Sequence, residues 1–406
     1  MLTGQGLLCF APEPWDSMWR SRQFIMAELS KHNKVLFVEP RTYLRDAVRA
    51  VARGKISLAD VARPSLRRVS PNLYTFLPPV LAPVSGRFPL STMTDLIRTS
   101  LLKLAMRRIG IEHPILWLER PDVWDQVGKF DEKLLVYRVT DEYTAYVDVT
   151  PATRALIESR ERYLLARADL VLVASDSLLA TKAPFNPSTF LLSHGVDFAA
   201  HVQVGTNSDA APPDISNLPR PIVGYVGLVG RRLDLELLGR LAGSRPSWSL
   251  IFVGDVNPLD CESELTGLRE MSNVHFLGRK KVREVPSYIH AFDVCLVPYR
   301  QGPDALNANP LKLLEYLACG KPTVSIDTPA VRSFGQLIKI AGDADSFLSC
   351  LEAALCERDE GLAERRREVA RGNSWGSVAE RLSLLIEARV RAKQIYKETC
   401  LRQGRT

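Results

Sequence analysis

Short continuous apolar runs alternate with stretches of helical periodicity from the first residues onward. The runs are GLLCF, KVLFVEP, PILWL, LLVYRVTD, ADLVLVAS and TFLLSHGVD, with the helical stretch SRQFIMAELSKH after the first. Uninterrupted Val- and Leu-rich runs separated by helices indicate strands of a parallel sheet covered on both faces. From His201 to Arg220, HVQVGTNSDAAPPDISNLPR, the Gly, Asn, Ser and Pro residues break this rhythm. The alternation then restarts with PIVGYVG, a helix in LDLELLGRLAG, WSLIFVGD, VHFLG, a helix in VPSYIHAF, VCLVPY, a further helix, PTVSI and LIKIA.

Two doubly wound α/β halves follow, each with its ligand edge at the carboxyl ends of its strands. The pattern predicts an N-terminal domain over 1–205, a linker over 206–220 and a second domain over 221–374. An amphipathic helix over 375–406, with Val378, Leu382, Leu385 and Ile386 on one stripe, is expected to pack back toward the first domain.

Composition narrows the class. At 406 residues, 46% hydrophobic and 24% charged, the chain is too long for one ordinary domain and too apolar to be disordered. A formal charge of +7 favours anionic partners: phosphates, nucleotides or an acidic membrane surface. The seven cysteines form no CxxC pair and have no His at ligand spacing, so neither a zinc site nor a disulfide framework is expected. There is no basic region leading into a long apolar run at the start, and no later stretch reaches the roughly 18 to 20 apolar residues of a spanning helix. The expectation is a cytoplasmic protein, peripheral at most to the inner face of the cell membrane.

The stretch NANPLKLLEYLACGKPTVSID concentrates the chemistry. Asn309 suits a helix N-cap and Pro310 the first helical position, so the backbone N–H groups of Leu311 and Lys312 are expected to point out of the helix start. The helix dipole and the Lys312 ammonium make that end an anion site, suited to a diphosphate. Glu315 falls on the same face one turn on, where an ionised carboxylate can accept from two vicinal ribose hydroxyls. A Glu that merely pairs with Lys312 on an exposed face explains the spacing equally well.

The segment NPLKLLEYLACGKPTVS resembles the donor-binding helix of the retaining nucleotide-sugar glycosyltransferases of the group 1 (family 4) type, with GT-B architecture. The resemblance continues through PIVGYVGLVGRRLDLELLGRLA, WSLIFVGD, NVHFLGRKKVREVPSYIHAFDVCLVPY and the NSW of Asn373–Trp375. PWDSMWRSRQFIMAELSKHNKVLFVEP and VYRVTDEY are similar to a bacterial branch linked to teichuronic acid and capsule synthesis. The resemblance implies that two acids, with seven residues between them, bind the donor. Glu315 matches the second, the ribose binder, and the first falls on Asn307, which keeps hydrogen-bonding capacity without the charge. It further implies that Arg231 or Arg232 holds the diphosphate with the first turn of the helix (Asn309, Leu311, Lys312, Leu313). The Lys expected one and a half turns after the Arg falls among Leu235–Leu238 and is not basic, so Lys312 is the substitute candidate. The Arg279 and Lys280 backbone would face the nucleobase.

On the acceptor side, Trp15, Asp16, Arg20 and Arg22 lie in the loop after the first strand, where the family places a loop facing acceptor and phosphate. Asp141 ends LLVYRVTD in a similar location, where an Asp is also a common cap or turn residue. The resemblance therefore implies transfer of a sugar from a nucleoside diphosphate sugar to a hydroxyl of a cell-surface glycan or lipid-linked saccharide, with retention, and with Arg232, Lys312 and Asp141 as catalytic candidates. No metal and no cofactor is expected beyond the donor substrate, and nucleic acid is not an expected partner. A nucleotide- or glycan-binding scaffold without turnover, an epimerase and a phosphorylase remain open. The Arg- and Lys-rich stretch 41–68, with Leu44, Val48 and Val51 beside Arg45, Arg49 and Arg53, suits contact with an anionic membrane. LIRTSLLKLAMRRIG has a similar flavour, and an ordinary solvated basic face accounts for both.

Overall fold

The computed structural model describes residues 1–17, 19–43, 65–80, 82–84, 88–145, 150–207, 211–302 and 311–402. The chain divides into two compact units, Met1–Ser193 with Val378–Thr406, and His194–Ser377.

The first unit carries strands β1 (Gly6–Phe10), β2 (Lys34–Val38), β3 (Leu66–Ser70), β4 (Leu73–Phe76), β5 (Ile115–Leu118), β6 (Leu134–Val139), β7 (Leu170–Val173) and β8 (Thr189–Leu191). Its helices are α1 (Ser21–Ser30), α2 (Leu90–Arg108), α3 (Pro151–Arg167) and α4 (Asp176–Lys182). The strands form one eight-stranded sheet in the order β3-β4-β2-β1-β5-β6-β7-β8, parallel except that β3 runs antiparallel to β4. The apolar periodicity does not announce β3 and β4. LRRVS places Arg67 and Arg68 on an exposed edge strand, so it reads as part of a basic tract rather than as a buried run. Positions 44–64 of that tract, including Leu44, Val48 and Val51, lie outside the described residues.

The second unit has β9 (Ile222–Val226), β10 (Ser249–Val253), β11 (Val274–Phe276), β12 (Val294–Val297), β13 (Thr323–Ile326) and β14 (Lys339–Ala341). They pair in parallel in the order β11-β10-β9-β12-β13-β14. Its helices are α5 (Phe198–Asn207), α6 (Leu235–Ser244), α7 (Glu262–Arg269), α8 (Val285–Ala291), α9 (Leu311–Ala318), α10 (Pro329–Arg332), α11 (Ala344–Leu355) and α12 (Glu360–Gly372). The last helix, α13 (Trp375–Arg402), starts in this unit and is counted with the first from Val378 onward. Val378, Leu382 and Ile386 on it are fully buried.

Each apolar run lies inside its sheet because both faces are covered. In the second unit Leu238, Leu265, Phe252 and Phe347 fill one side, and Ile289, Phe292, Val297 and Tyr316 fill the other. Gly224 in β9 permits that packing, since a Cβ there would come within 2.2 Å of the Phe292 ring. Strand order reverses between β1 and β5 in one sheet and between β9 and β12 in the other. Such reversals open a crevice at the strands' carboxyl ends, the general ligand position of open α/β sheets.

Candidate functional site

The site in the second unit is assembled at the β9/β12 reversal. Beyond β9 the chain turns through Gly227 to Asp234, held on one side by a bond from the Val229 N–H to the Asp255 carbonyl (2.9 Å). On the other side it is clamped to the segment after β12: the Asp234 N–H donates to Pro298 O (2.8 Å) and the Arg300 N–H to Arg232 O (2.9 Å). Asp234 then caps α6 by accepting from the Leu237 N–H at 2.9 Å. Arg231 and Arg232 therefore sit on a braced turn at the strand edge. Arg231 reaches Asp260 at 3.5 Å, while Arg232 is exposed and has no ion pair among the described residues.

Helix α9 brings the remaining groups. Leu313, Leu317 and Ala318 anchor it against Val196, Ile338 and Ala370, and the Tyr316 hydroxyl accepts from the Val226 N–H of β9 at 2.9 Å. This fixes the first turn over the strand ends. The Lys312 ammonium donates to the Tyr225 hydroxyl (3.0 Å) and the Tyr299 hydroxyl (2.9 Å), and lies 4.7 Å and 5.1 Å from the two ring centres. Gly227, at φ 140°, is the residue that lets the chain pass so close, because a Cβ there would lie 2.9 Å from Lys312 Cε. An ammonium has three donors, and two are used. Burial pulls the Lys312 proton affinity down, but the two phenols outweigh it and hold it above the ordinary lysine range. The amine is a fixed positive charge.

Glu315 stands one turn further along α9, half-buried. Its carboxylate makes no hydrogen bond or ion pair among the described residues, and Lys312 is committed to the tyrosines instead. A surface Glu–Lys pair therefore does not account for this carboxylate. Burial raises the Glu315 carboxyl above the usual glutamate range, with the nearby His201 and Lys312 working against that rise. His201, on α5, pairs its Nδ1 with the Asp197 carbonyl at 2.8 Å and keeps its Nε2 buried with no hydrogen-bond partner among the described residues. Sequence reasoning passed over His201 because it lies in the stretch read as a break between domains. Leu311 is exposed at the helix start and Leu313 is buried in the core beneath it, so only Leu313's backbone can serve a ligand. Asn307 and Asn309 lie outside the described residues.

The loop after β11 separates the two basic candidates. Arg279 is exposed, 3.8 Å from Asp255. The Lys280 side chain is engaged, with its ammonium 2.6 Å from Asp214, which also accepts from the Tyr288 hydroxyl at 2.9 Å. Its proton affinity is raised by that carboxylate bond, and only its backbone remains for the expected nucleobase role.

In the first unit the loop between β1 and α1, expected to face an acceptor, turns several of its side chains to internal partners. Trp15 is buried, edge-on to Phe37 at 5.1 Å and to Trp19 at 5.1 Å, so it anchors the loop rather than facing an acceptor. Arg22 is also buried, 2.7 Å from Glu13 and 3.6 Å from Glu119. Arg20 is largely exposed, 3.2 Å from Glu13, and Asp16 pairs with Arg67 at 2.6 Å. Asp141 is exposed just beyond β6. The group missed here is Glu119, fully buried at the end of β5: it accepts from Trp117 Nε1 at 2.8 Å and faces Arg138 of β6 at 3.5 Å. An arginine inside the apolar run LLVYRV was the available signal, since a buried guanidinium demands an acid.

Among the described residues no group of three or more His, Cys, Asp or Glu is arranged to hold a metal ion, and no helix is long and apolar enough to cross a membrane.

Residues 220–356 match the family model described as glycosyl transferases group 1. A protein of Bacillus subtilis (strain 168), TuaH, named as a teichuronic acid biosynthesis glycosyltransferase, is 26% identical over 264 residues, spanning 62% of this chain and 64% of that relative. Sucrose-phosphate synthase from Thermosynechococcus elongatus superposes with a TM-score of 0.66 at 18% identity, over 96% of this chain and 100% of the other. Anabaena HepE in complex with UDP gives 0.59 at 14% identity, over 95% and 100%. The two-sheet fold is thus the GT-B fold.

Proposed function

We propose, from the premise that the 220–356 segment is a group 1 glycosyl transferase domain, that the whole chain moves a sugar from a nucleoside diphosphate sugar to a hydroxyl of a cell-surface glycan or lipid-linked saccharide. The observation that carries the reading is the half-buried Glu315, its carboxylate without a partner among the described residues, one turn from a Lys312 ammonium fixed at the β9/β12 reversal. The pyrophosphate lies against the first turn of α9, beside Arg232 and the remaining donor of Lys312, and its ribose hydroxyls donate to Glu315.

Negative charge grows on the departing diphosphate as the sugar–oxygen bond breaks. Arg232 and Lys312 face that charge, and fixed cations stabilise it more in the transition state than in the ground state. The acceptor oxygen attacks from the face the diphosphate leaves, its proton passing to the leaving phosphate oxygen, and anomeric configuration is retained. Asp141 is the acceptor-side candidate of this scheme. The relative named for teichuronic acid biosynthesis supports an envelope-polymer acceptor.

Thermal melting against nucleoside diphosphates tests the binding step. A ligand present at a hundred times its dissociation constant stabilises by about 2.7 kcal/mol. Glu315→Ala is expected to erase most of that shift while leaving the unliganded melting point nearly unchanged. A large unliganded loss would assign Glu315 to the scaffold. Release of the diphosphate from nucleotide sugars tests turnover, and a chain that binds UDP or GDP yet never releases it from any donor, with acceptors present, is a binding scaffold.

A further inference from the structure

Helix α2 in the first unit buries a mixed face and exposes an apolar stripe. Its inner side is Thr94, Arg98, Leu102, Ala105 and Met106, with Arg98 donating to the carbonyls of Ala82 (2.7 Å) and Pro83 (2.9 Å). Its outer side carries Leu90, Met93, Leu96, Ile97, Leu101 and Leu104, all exposed, Leu96 by 66% and Met93 by 58%. At about 100° per residue all of these except Leu96 fall within a sector of roughly 80°, along a rod about 28 Å long. Phe88, just before the helix, is 84% exposed. Isolated surface leucines need no explanation, but a continuous stripe of them marks an interaction surface.

The charges around the stripe select its occupant. Lys103 and Arg107 flank it on the side of Leu96, and Arg108 closes its C-terminal end, all three exposed. The helix has one acid, Asp95, and that carboxylate is spent on Arg98 at 3.3 Å and Lys129 at 2.7 Å. A second copy of this chain meeting the stripe would find no carboxylate on α2 to receive these cations. An apolar face with cations at its margin and no anion is suited to lie in a bilayer interface, with the leucines among the acyl chains and the lysine and arginines among anionic headgroups.

We propose that the outer face of α2 docks this protein on an anionic lipid bilayer. The basis is separate from the donor site, and the inference goes beyond the transfer reaction, supplying a reason for an acceptor that is itself lipid-linked. The experiment is sedimentation of the full chain with vesicles of phosphatidylcholine alone and of phosphatidylcholine with phosphatidylglycerol, at low and high salt. The expected result is binding that requires phosphatidylglycerol and weakens with salt. Neutralising Lys103→Gln with Arg107→Gln should lower partitioning about 30-fold, from about 1 kcal/mol per basic group. Ile97→Glu with Leu101→Glu should lower it further while leaving the nucleoside diphosphate melting shift unchanged, which separates this inference from the donor site. Partitioning indifferent to both pairs overturns the proposal, as does a concentration-dependent dimer in light scattering that Ile97→Glu with Leu101→Glu dissolves. Should either variant be misfolded by circular dichroism, the unmodified chain still decides, because binding unaffected by phosphatidylglycerol refutes it.

Discussion

The two sheet reversals of this molecule have the same topology and opposite electrostatics. At β1/β5 the buried charges face opposite charges among the described residues, although the Nε atoms of Arg22 and Arg138 make no hydrogen bond there: Glu119 faces Arg22 at 3.6 Å and Arg138 at 3.5 Å, and Glu13 faces Arg22 at 2.7 Å. At β9/β12 the carboxylate of Glu315 and the guanidinium of Arg232 have no such partner among the described residues, and Lys312 holds one donor in reserve. A reversal in strand order opens a crevice in either case. What separates a binding site from a buried brace is charge that the protein itself leaves uncompensated, since desolvated charge without a partner is costly to keep unless a ligand completes it.

The sharpest way to break the comparison is Glu119→Ala. If the first cluster is a closed brace, removing its acid strands the buried Arg138 and costs about 3–5 kcal/mol in urea unfolding. A loss below about 1 kcal/mol would mean that this cluster, too, awaits a ligand. Lys312→Met acts at the open reversal and is expected to lower turnover on the order of 10²-fold, in kcat more than in KM, as loss of a donor to developing negative charge does. Equal binding losses in ground and transition states would remove Lys312 from the chemistry.

Glu315 separates stability from affinity. Its carboxyl is raised by burial, so in the unliganded protein ionisation is penalised. The penalty is absent below the ordinary glutamate range and sets in as pH rises through the raised value. Glu315→Gln should therefore melt slightly higher than the parent at neutral pH without ligand, converge with it in acid, and lose most of the diphosphate shift. Titration calorimetry with UDP gives the smallest effect: affinity in the parent should decline on acidification within the window just above the ordinary glutamate value, and Glu315→Gln should not share that decline.

Much of the second unit could be read along the chain, because its strands are uninterrupted apolar runs and its helix starts carry local signals. Glu315, Arg231 and Arg232 are legible for that reason, each lying a fixed number of residues from a strand end or a helix start. The tyrosine pair that grips Lys312 is not, since Tyr225 lies in β9 and Tyr299 just beyond β12, 74 residues apart, and they meet only through sheet order. Trp15 misled for the opposite reason: an aromatic in a loop after the first strand has a recognition position, but Phe37 gives it a core partner instead. On α2 the periodicity says which positions are apolar and not which side is covered. Only the packing of Thr94, Arg98 and Leu102 reveals that the leucine-rich side was left outside.

The knot of Lys312, Tyr225 and Tyr299 has a spectroscopic consequence. Both phenols share their oxygens with one cation, so a polyanion settling on that cation must redistribute the field across two chromophores. Under the proposed donor role of Lys312 this makes an optical gauge of occupancy: an ultraviolet difference signal is expected on adding a diphosphate, fading with Tyr299→Phe, with no label needed.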